Sequence, residues 1–267
     1  MDFSKVILMT DLDGTLLTDS KEILPVDMAA IERFRAGGGI FTIATGRGYS
    51  MARSIAEKLK LDVPAVIFNG AAVYDFNEDR FLWRCEIGDH AMEYIKRITE
   101  RFPDIGIEVL HEQTVYVPFL NETEQWHLDL EGVIPDLTPL DELPRDGWLK
   151  VLCAYPPDKM DEVVEFIKSS DMTRAQWVRS APMFYECLPE GIDKSAGYKQ
   201  LIRLLNAEDR FTAAAGDFMN DAAMIKQANL GAAVASAQPE VKAAADIVVC
   251  DNNSGAIAEI IDYIERR

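Results

Sequence analysis

Short apolar runs alternate with amphipathic stretches at both ends of the chain. The apolar pattern predicts strands over 5–10, 40–44 and 65–68, separated by helices over 25–36 and 49–61. Pro25 opens the first of these helices, and Gly37-Gly38-Gly39 stops it. The last eighty residues repeat the rhythm. Helices are predicted over 194–205, behind Asp193 as N-cap, and over 221–228, 240–245 and 255–266; strands fall at 211–215, 231–235 and 247–250. Strand–helix alternation of this kind predicts a doubly wound α/β core, a parallel sheet with helices on both faces.

The middle of the chain has another pattern. From about 81 to 185, strands at 106–110, 115–119, 149–155, 176–180 and 183–188 are mixed with only two helices, 89–101 and 159–169. This segment reads as an α/β unit inserted into the first. The expected division is 1–82 plus 186–267 for the catalytic core and 83–185 for the insert. All four Trp and all three His fall in the insert or at its edge. They read as packing residues, because His90, His111 and His127 show no metal-ligand spacing.

Three of the core strands end in unusual polar runs. These are Asp11-Leu12-Asp13-Gly14-Thr15, then Thr45-Gly46-Arg47, then Gly216-Asp217-Phe218-Met219-Asn220-Asp221. In a parallel sheet such carboxyl ends share one edge, where open α/β folds bind ligands. Asp11, Asp13, Asp217 and Asp221 would then meet, although some 200 residues separate them. Crowded carboxylates repel unless a cation sits among them. An all-oxygen donor set with few protein ligands suits Mg²⁺, which keeps waters and accepts phosphate oxygens. Thr45, Asn69 and backbone N–H groups near Gly14 and Gly46 are candidate grips for phosphoryl oxygens, with Arg47 and Lys194 as local cations.

Charge sharpens this reading. The net charge is −18, which disfavours nucleic acid and anionic membranes as partners. Any phosphate ester must therefore find its cations inside the site. The longest apolar runs are far shorter than the roughly 20 residues of a membrane span. Residues 1–5 lack the features of a signal peptide, so a cytoplasmic location is the expectation. Four scattered cysteines show no zinc or redox spacing and read as reduced. The expected partner is a small phosphorylated metabolite, and the expected state a monomer or weak homodimer.

Asp11–Thr15 resembles the DxDGT nucleophile motif of the haloacid dehalogenase-like superfamily. Thr45, Lys194 and Gly216–Asp221 are similar to its second, third and fourth motifs. Ala44-Thr45-Gly46-Arg47, Asn69-Gly70-Ala71 and Gly191-Ile192-Asp193-Lys194 resemble its Cof-type branch, subfamily IIB, which inserts an α/β cap between the second and third motifs. The resemblance spans the core in order and nearly end to end. It implies a phosphatase in which Asp11 forms an aspartyl-phosphate and Asp13 is the general acid and base. It implies Mg²⁺ held by the Asp11 carboxylate, the Asp13 backbone carbonyl and Asp217, with Asn220 and Asp221 in support. It places Leu12, Thr45, Gly46, Arg47, Asn69, Gly70, Lys194 and Asn220 on the phosphate or substrate side. Sugar phosphates are the implied substrates, with nucleotide, cofactor (pyridoxal or flavin) and glycerol-type phosphates open beside them. Two departures stand out: Ser236-Ala237-Gln238 where the family often has Asn-Ala, and Ser195-Ala196-Gly197 after the motif lysine.

Asp11, Asp13, Thr15, Asp19 and Glu22 also fall at EF-hand ligand spacing, but Leu16 occupies the glycine position and a strand precedes the loop. A phosphomutase of related architecture and a non-catalytic metabolite-binding protein stay open as alternatives.

Overall fold

The computed structural model describes all of residues 1–267. Its elements, in chain order, are β1 (Val6–Thr10), α1 (Pro25–Ala36), β2 (Ile40–Ile43), α2 (Tyr49–Leu59), β3 (Ala65–Ile67), β4 (Ala72–Asp75) and β5 (Arg80–Arg84). Then come α3 (His90–Arg101), β6 (Gly106–His111), β7 (Thr114–Phe119), α4 (Glu122–Glu131), β8 (Trp148–Ala154), α5 (Pro157–Ser169), β9 (Ala175–Ala181) and β10 (Phe184–Pro189). The chain closes with α6 (Lys194–Leu204), β11 (Phe211–Gly216), α7 (Ala222–Gln227), β12 (Leu230–Val234), α8 (Pro239–Ala244), β13 (Ile247–Val249) and α9 (Ala256–Arg266).

The first sheet runs β13-β12-β11-β1-β2, and every neighbouring pair is parallel. β1 lies between β11 and β2 and is buried along its whole length. That burial explains its uninterrupted apolar run. Val6 and Leu8 pack with Ile31 and Phe34 of α1 and Ile257, Ile260 and Ile261 of α9. Ile7 and Met9 point the other way, against Tyr198, Leu201 and Ile202 of α6 and Met224 of α7. The period of two along one strand thus feeds two helical layers, the doubly wound arrangement expected.

β3 departs from expectation. It meets the main sheet only through a parallel bridge between Ala44 and Val66 and then pairs antiparallel with β4, which pairs with β5. The second five-stranded sheet, β7-β6-β8-β10-β9, is antiparallel throughout. One face carries Ile107, Val109, Val151, Cys153, Tyr185 and Cys187 against α3 and α5. The other face carries Glu108, Lys150, Leu152, Phe184 and Glu186, brought side by side by the pairings Glu108↔Leu152 and Leu152↔Glu186. The expected division points, 82/83 and 185/186, fall inside β5 and β10. The chain crosses between the two units just after those strands end. No helix is long and apolar enough to cross a membrane.

Candidate active site

Asp11 follows the last residue of β1, and its N–H is held by the Ala215 carbonyl at 2.9 Å. The main chain then turns back through Gly14 at φ +78°, a left-handed conformation that favours glycine. A Cβ there would stand 2.6 Å from Asp217 Oδ2, so glycine also makes room for the neighbouring loop. The backbone N–H groups of Leu12, Asp13 and Gly46 find no acceptor within the chain. Leu12 itself buries its side chain in the core. Convergent free N–H groups of this kind form an anion cradle. Thr45, also buried, closes one side; its Oγ1 accepts the Arg47 N–H at 3.1 Å.

Three carboxylates meet beside this cradle. Asp11, Asp217 and Asp221 each offer an oxygen, and all three lie within 4.8 Å of one another. Lys194, the first residue of α6 behind the Asp193 N-cap, lies between two of them. Its Nζ donates to Asp11 Oδ1 and Asp221 Oδ1, each at 2.6 Å. Burial and the neighbouring Asp221 push the Asp11 carboxyl well above its usual range, against the pull of Lys194. Burial and Asp221 likewise push Asp217 up to about 7. One lysine does not balance three acids. The donor set therefore fits a divalent oxygen-binding cation such as Mg²⁺.

The three acids are not equivalent. Asp221 is fully buried, and its Oδ2 accepts the N–H groups of Asp217 and Phe218 at 3.1 and 3.2 Å. With Lys194 on its other oxygen, both oxygens of Asp221 are engaged within the chain, which braces the loop. Asp217 keeps Oδ2 free, because Thr15 Oγ1 donates to Oδ1 at 2.9 Å. Asp11 keeps its second oxygen free as well.

The Asp13 carboxylate lies outside this cluster. Arg47 holds both its oxygens, Nε to Oδ2 at 2.8 Å and Nη2 to Oδ1 at 2.9 Å, while Lys21 Nζ adds a contact of 2.6 Å. Burial pulls the Asp13 pKa upward, but the Arg47 hydrogen bonds and charge outweigh it and hold the carboxyl well below the usual range. A general acid requires the opposite shift, so Asp13 stands here in its base form. Any share it takes in holding a cation falls to its backbone carbonyl.

The second sheet covers this edge and encloses a cavity of about 270 Å³. Its floor is Asp11, Asp13, Thr45, Gly46, Lys194 and Asp217; its roof and wall include Trp126, His127, Lys150, Phe184 and Glu186. Lys150 and Glu186 form an ion pair at 3.1 Å with both side chains about 95% or more buried. Lys150 Nζ also donates to the Gly46 carbonyl at 2.8 Å, and Ser180 Oγ to Glu186 at 2.6 Å.

A family model for haloacid dehalogenase-like hydrolases matches residues 8–261. The chain belongs to that family. The family assignment makes this chain a hydrolase. Among its relatives is the 5-amino-6-(5-phospho-D-ribitylamino)uracil phosphatase YcsE of Bacillus subtilis, 27% identical across 96% of this chain and 94% of the relative. Another is the pyridoxal phosphate phosphatase YbhA of Escherichia coli, 25% identical across 96% and 97%. The fold is shared with BT4131, a sugar phosphatase of subclass IIB, at a TM-score of 0.85 and 22% identity over 97% and 98% of the two chains.

Of the residues expected to grip substrate in this haloacid dehalogenase-like hydrolase, Leu12, Asn69 and Gly70 do not line its cavity, Leu12 offering only its backbone N–H. Asn69 binds Glu186 through Nδ2 and accepts from Asn220 Nδ2 through Oδ1 at 2.9 Å. At Gly70, φ is +100° and a Cβ would lie 1.9 Å from the Asp193 carbonyl oxygen, so this glycine lets the loop pack on the start of α6. Conversely, Trp126 and His127 were expected in packing roles, yet both line the cavity. Lys21, Glu131, Lys150, Ser180 and Glu186 were not anticipated at all. Lys150 and Glu186 carried a signal: each is a lone charge inside a strand whose residues are all buried.

Proposed function

We propose that this hydrolase is a Mg²⁺-dependent phosphatase acting on monoesters of small phosphorylated metabolites, sugar phosphates foremost. The observation that carries this reading is the unengaged second oxygen of Asp11, set at the end of the central strand beside three free N–H groups and Lys194. The phosphoryl group rests on those N–H groups, Thr45 and Lys194. Asp11 attacks phosphorus and the ester P–O bond breaks, leaving an aspartyl-phosphate and an alkoxide. Asp13 takes up a proton from solvent once the phosphate dianion has drawn Lys21 away from it, and, still oriented by Arg47, gives that proton to the alkoxide. Asp13 then takes a proton from the water that attacks the same phosphorus, which frees phosphate and Asp11. A divalent cation on Asp11 and Asp217 would screen the repulsion between the anionic nucleophile and its anionic target.

The leaving group would lie under the second sheet. A space of about 270 Å³ suits a small one. Trp126 and Phe184 offer apolar surface to a carbon skeleton, and Lys150, Glu186 and Ser180 offer donors and acceptors to hydroxyls. BT4131 is a sugar phosphatase, which supports the choice; the ribitylamino phosphate and pyridoxal phosphate acted on by YcsE and YbhA are comparably small.

A phosphate-release screen over many phosphometabolites, with Mg²⁺ and with chelator, tests the proposal. Turnover should need the metal, vanish in Asp11→Asn with the fold retained, and be abolished or severely slowed in Asp13→Ala. Normal turnover by Asp11→Asn would refute the nucleophile. An isomerised ester formed without inorganic phosphate would make the chain a mutase, and tight binding without turnover across the panel a binding protein.

A further inference from the structure

We propose that two carboxylates of the inserted unit, Glu131 and Glu186, are positioning residues that complete the catalytic loops only when the cavity is shut. The inference rests on the phosphatase reading above and adds a coupling to it. Each carboxylate grips one side chain of the core, and that side chain grips a residue of a motif loop.

The first relay runs from the end of α4. Glu131 Oε2 meets Arg47 Nη1 at 2.7 Å, with the two side chains 9% and 10% exposed. The remaining nitrogens of the same guanidinium, Nε and Nη2, take both oxygens of Asp13. A guanidinium is planar and rigid, so fixing one of its edges fixes the direction of the other. The second relay runs from β10. Glu186 accepts from Asn69 Nδ2, and Asn69 Oδ1 accepts from Asn220 in the loop that carries Asp217 and Asp221. Lys150, the ion-pair partner of Glu186, reaches the Gly46 carbonyl at 2.8 Å and so steadies the loop that carries Arg47.

Both relays cross between the two units, so both break when the units part. Arg47 and Asn69 look like substrate grips in sequence. In the folded chain their polar atoms are occupied by the insert on one side and by catalytic loops on the other. Without Glu131, Arg47 keeps Asp13 as a partner but loses the contact that sets its angle. Displacing a catalytic group by about 1 Å can cost on the order of a hundredfold in rate.

The test is a double-mutant cycle read as kcat and KM for p-nitrophenyl phosphate with Mg²⁺, alongside the phosphate-release screen. Glu131→Gln keeps the shape and removes the charge. It should lower kcat by about tenfold to a hundredfold, move KM less than about threefold, and leave thermal melting unchanged. Arg47→Met should cost at least as much in kcat, and the double variant no more than Arg47→Met alone. Glu186→Gln and Asn69→Leu should show the same non-additivity. An unchanged kcat in Glu131→Gln would overturn the coupling. So would losses that multiply in the double variant, and so would a loss carried by KM, which would make Glu131 a substrate contact. If the wild type releases phosphate from no ester in the screen, the phosphatase reading itself falls; wild-type turnover with an unaffected Glu131→Gln removes only the relay.

Discussion

Replacing Glu124 by Gln should stabilise the protein at neutral pH and do little in mild acid. Glu108 on β6 and Glu124 on α4 are both fully buried, and no donor from another residue reaches any of their four oxygens. The pair is satisfied only by a proton of its own. Burial, then the Glu108 charge, pushes Glu124 up to about 10, and burial raises Glu108 too. The unfolded chain releases the Glu124 proton near its ordinary pKa of 4.5. The folded chain keeps it until about 10, so the folded state binds more protons across that window. Stability is therefore fully present below pH 4.5 and falls as pH rises toward 10. Between 4.5 and 7 the loss is 2.5 pH units at about 1.36 kcal/mol each, roughly 3 kcal/mol, and it requires only that the folded pKa exceed 7. Glutamine cannot ionise and escapes the loss. Urea unfolding followed by fluorescence of Trp148 and Trp177, both in the second sheet, should show the variant's midpoint about 1 M or more above wild type at pH 7. The gap should widen toward pH 9 and close near pH 4.5. A difference that does not change with pH, or a variant weaker than wild type at pH 7, would refute the shared proton.

Gly14→Ala should cost about 1–2 kcal/mol from its left-handed backbone alone, and should cut turnover further by driving a methyl group into Asp217; parallel melts and rate assays separate the two effects. Lys194→Met should lower stability by about 3–5 kcal/mol in metal-free buffer, measured by urea unfolding, because it leaves Asp11 and Asp221 facing each other without their cation. Adding Mg²⁺ without substrate should raise the melting temperature of the wild type and fail to do so in Asp217→Asn; an equal rise in both would remove Asp217 from the metal site.

The catalytic edge was legible because its geometry obeys a short rule. An apolar run alternating with helices reads as a parallel strand, and the residues just past its carboxyl end sit on the binding edge. Asp11, Thr45 and Asp217 each come directly after such a run or within two residues of its end, so placing the strands placed the residues. The β4–β5 ribbon escaped notice because its turn, Phe76–Asp79, reads as an ordinary polar loop and its outer strand is half exposed. The state of Asp13 was not legible, since Lys21 and Arg47 come from two separate loops and only the fold brings them together.

The inserted unit was harder to read for a more specific reason, and α4 shows it. Its apolar residues, Trp126, Leu128 and Leu130, are spaced by two, which is strand spacing, and two of the three are about half exposed. The helical period is carried instead by Glu124, His127, Leu128 and Glu131, at i, i+3, i+4 and i+7, and these are the residues that turn inward. Three of those four are ionisable. A helix whose buried stripe is polar gains little from the hydrophobic effect and is held by what the stripe touches. Here that is a proton held between Glu124 and Glu108, the Phe184 ring against His127, and Arg47 against Glu131. Burying such groups costs stability unless each is paired. The same pairings that hold α4 on its sheet therefore also point one of its carboxylates at the arginine that holds Asp13.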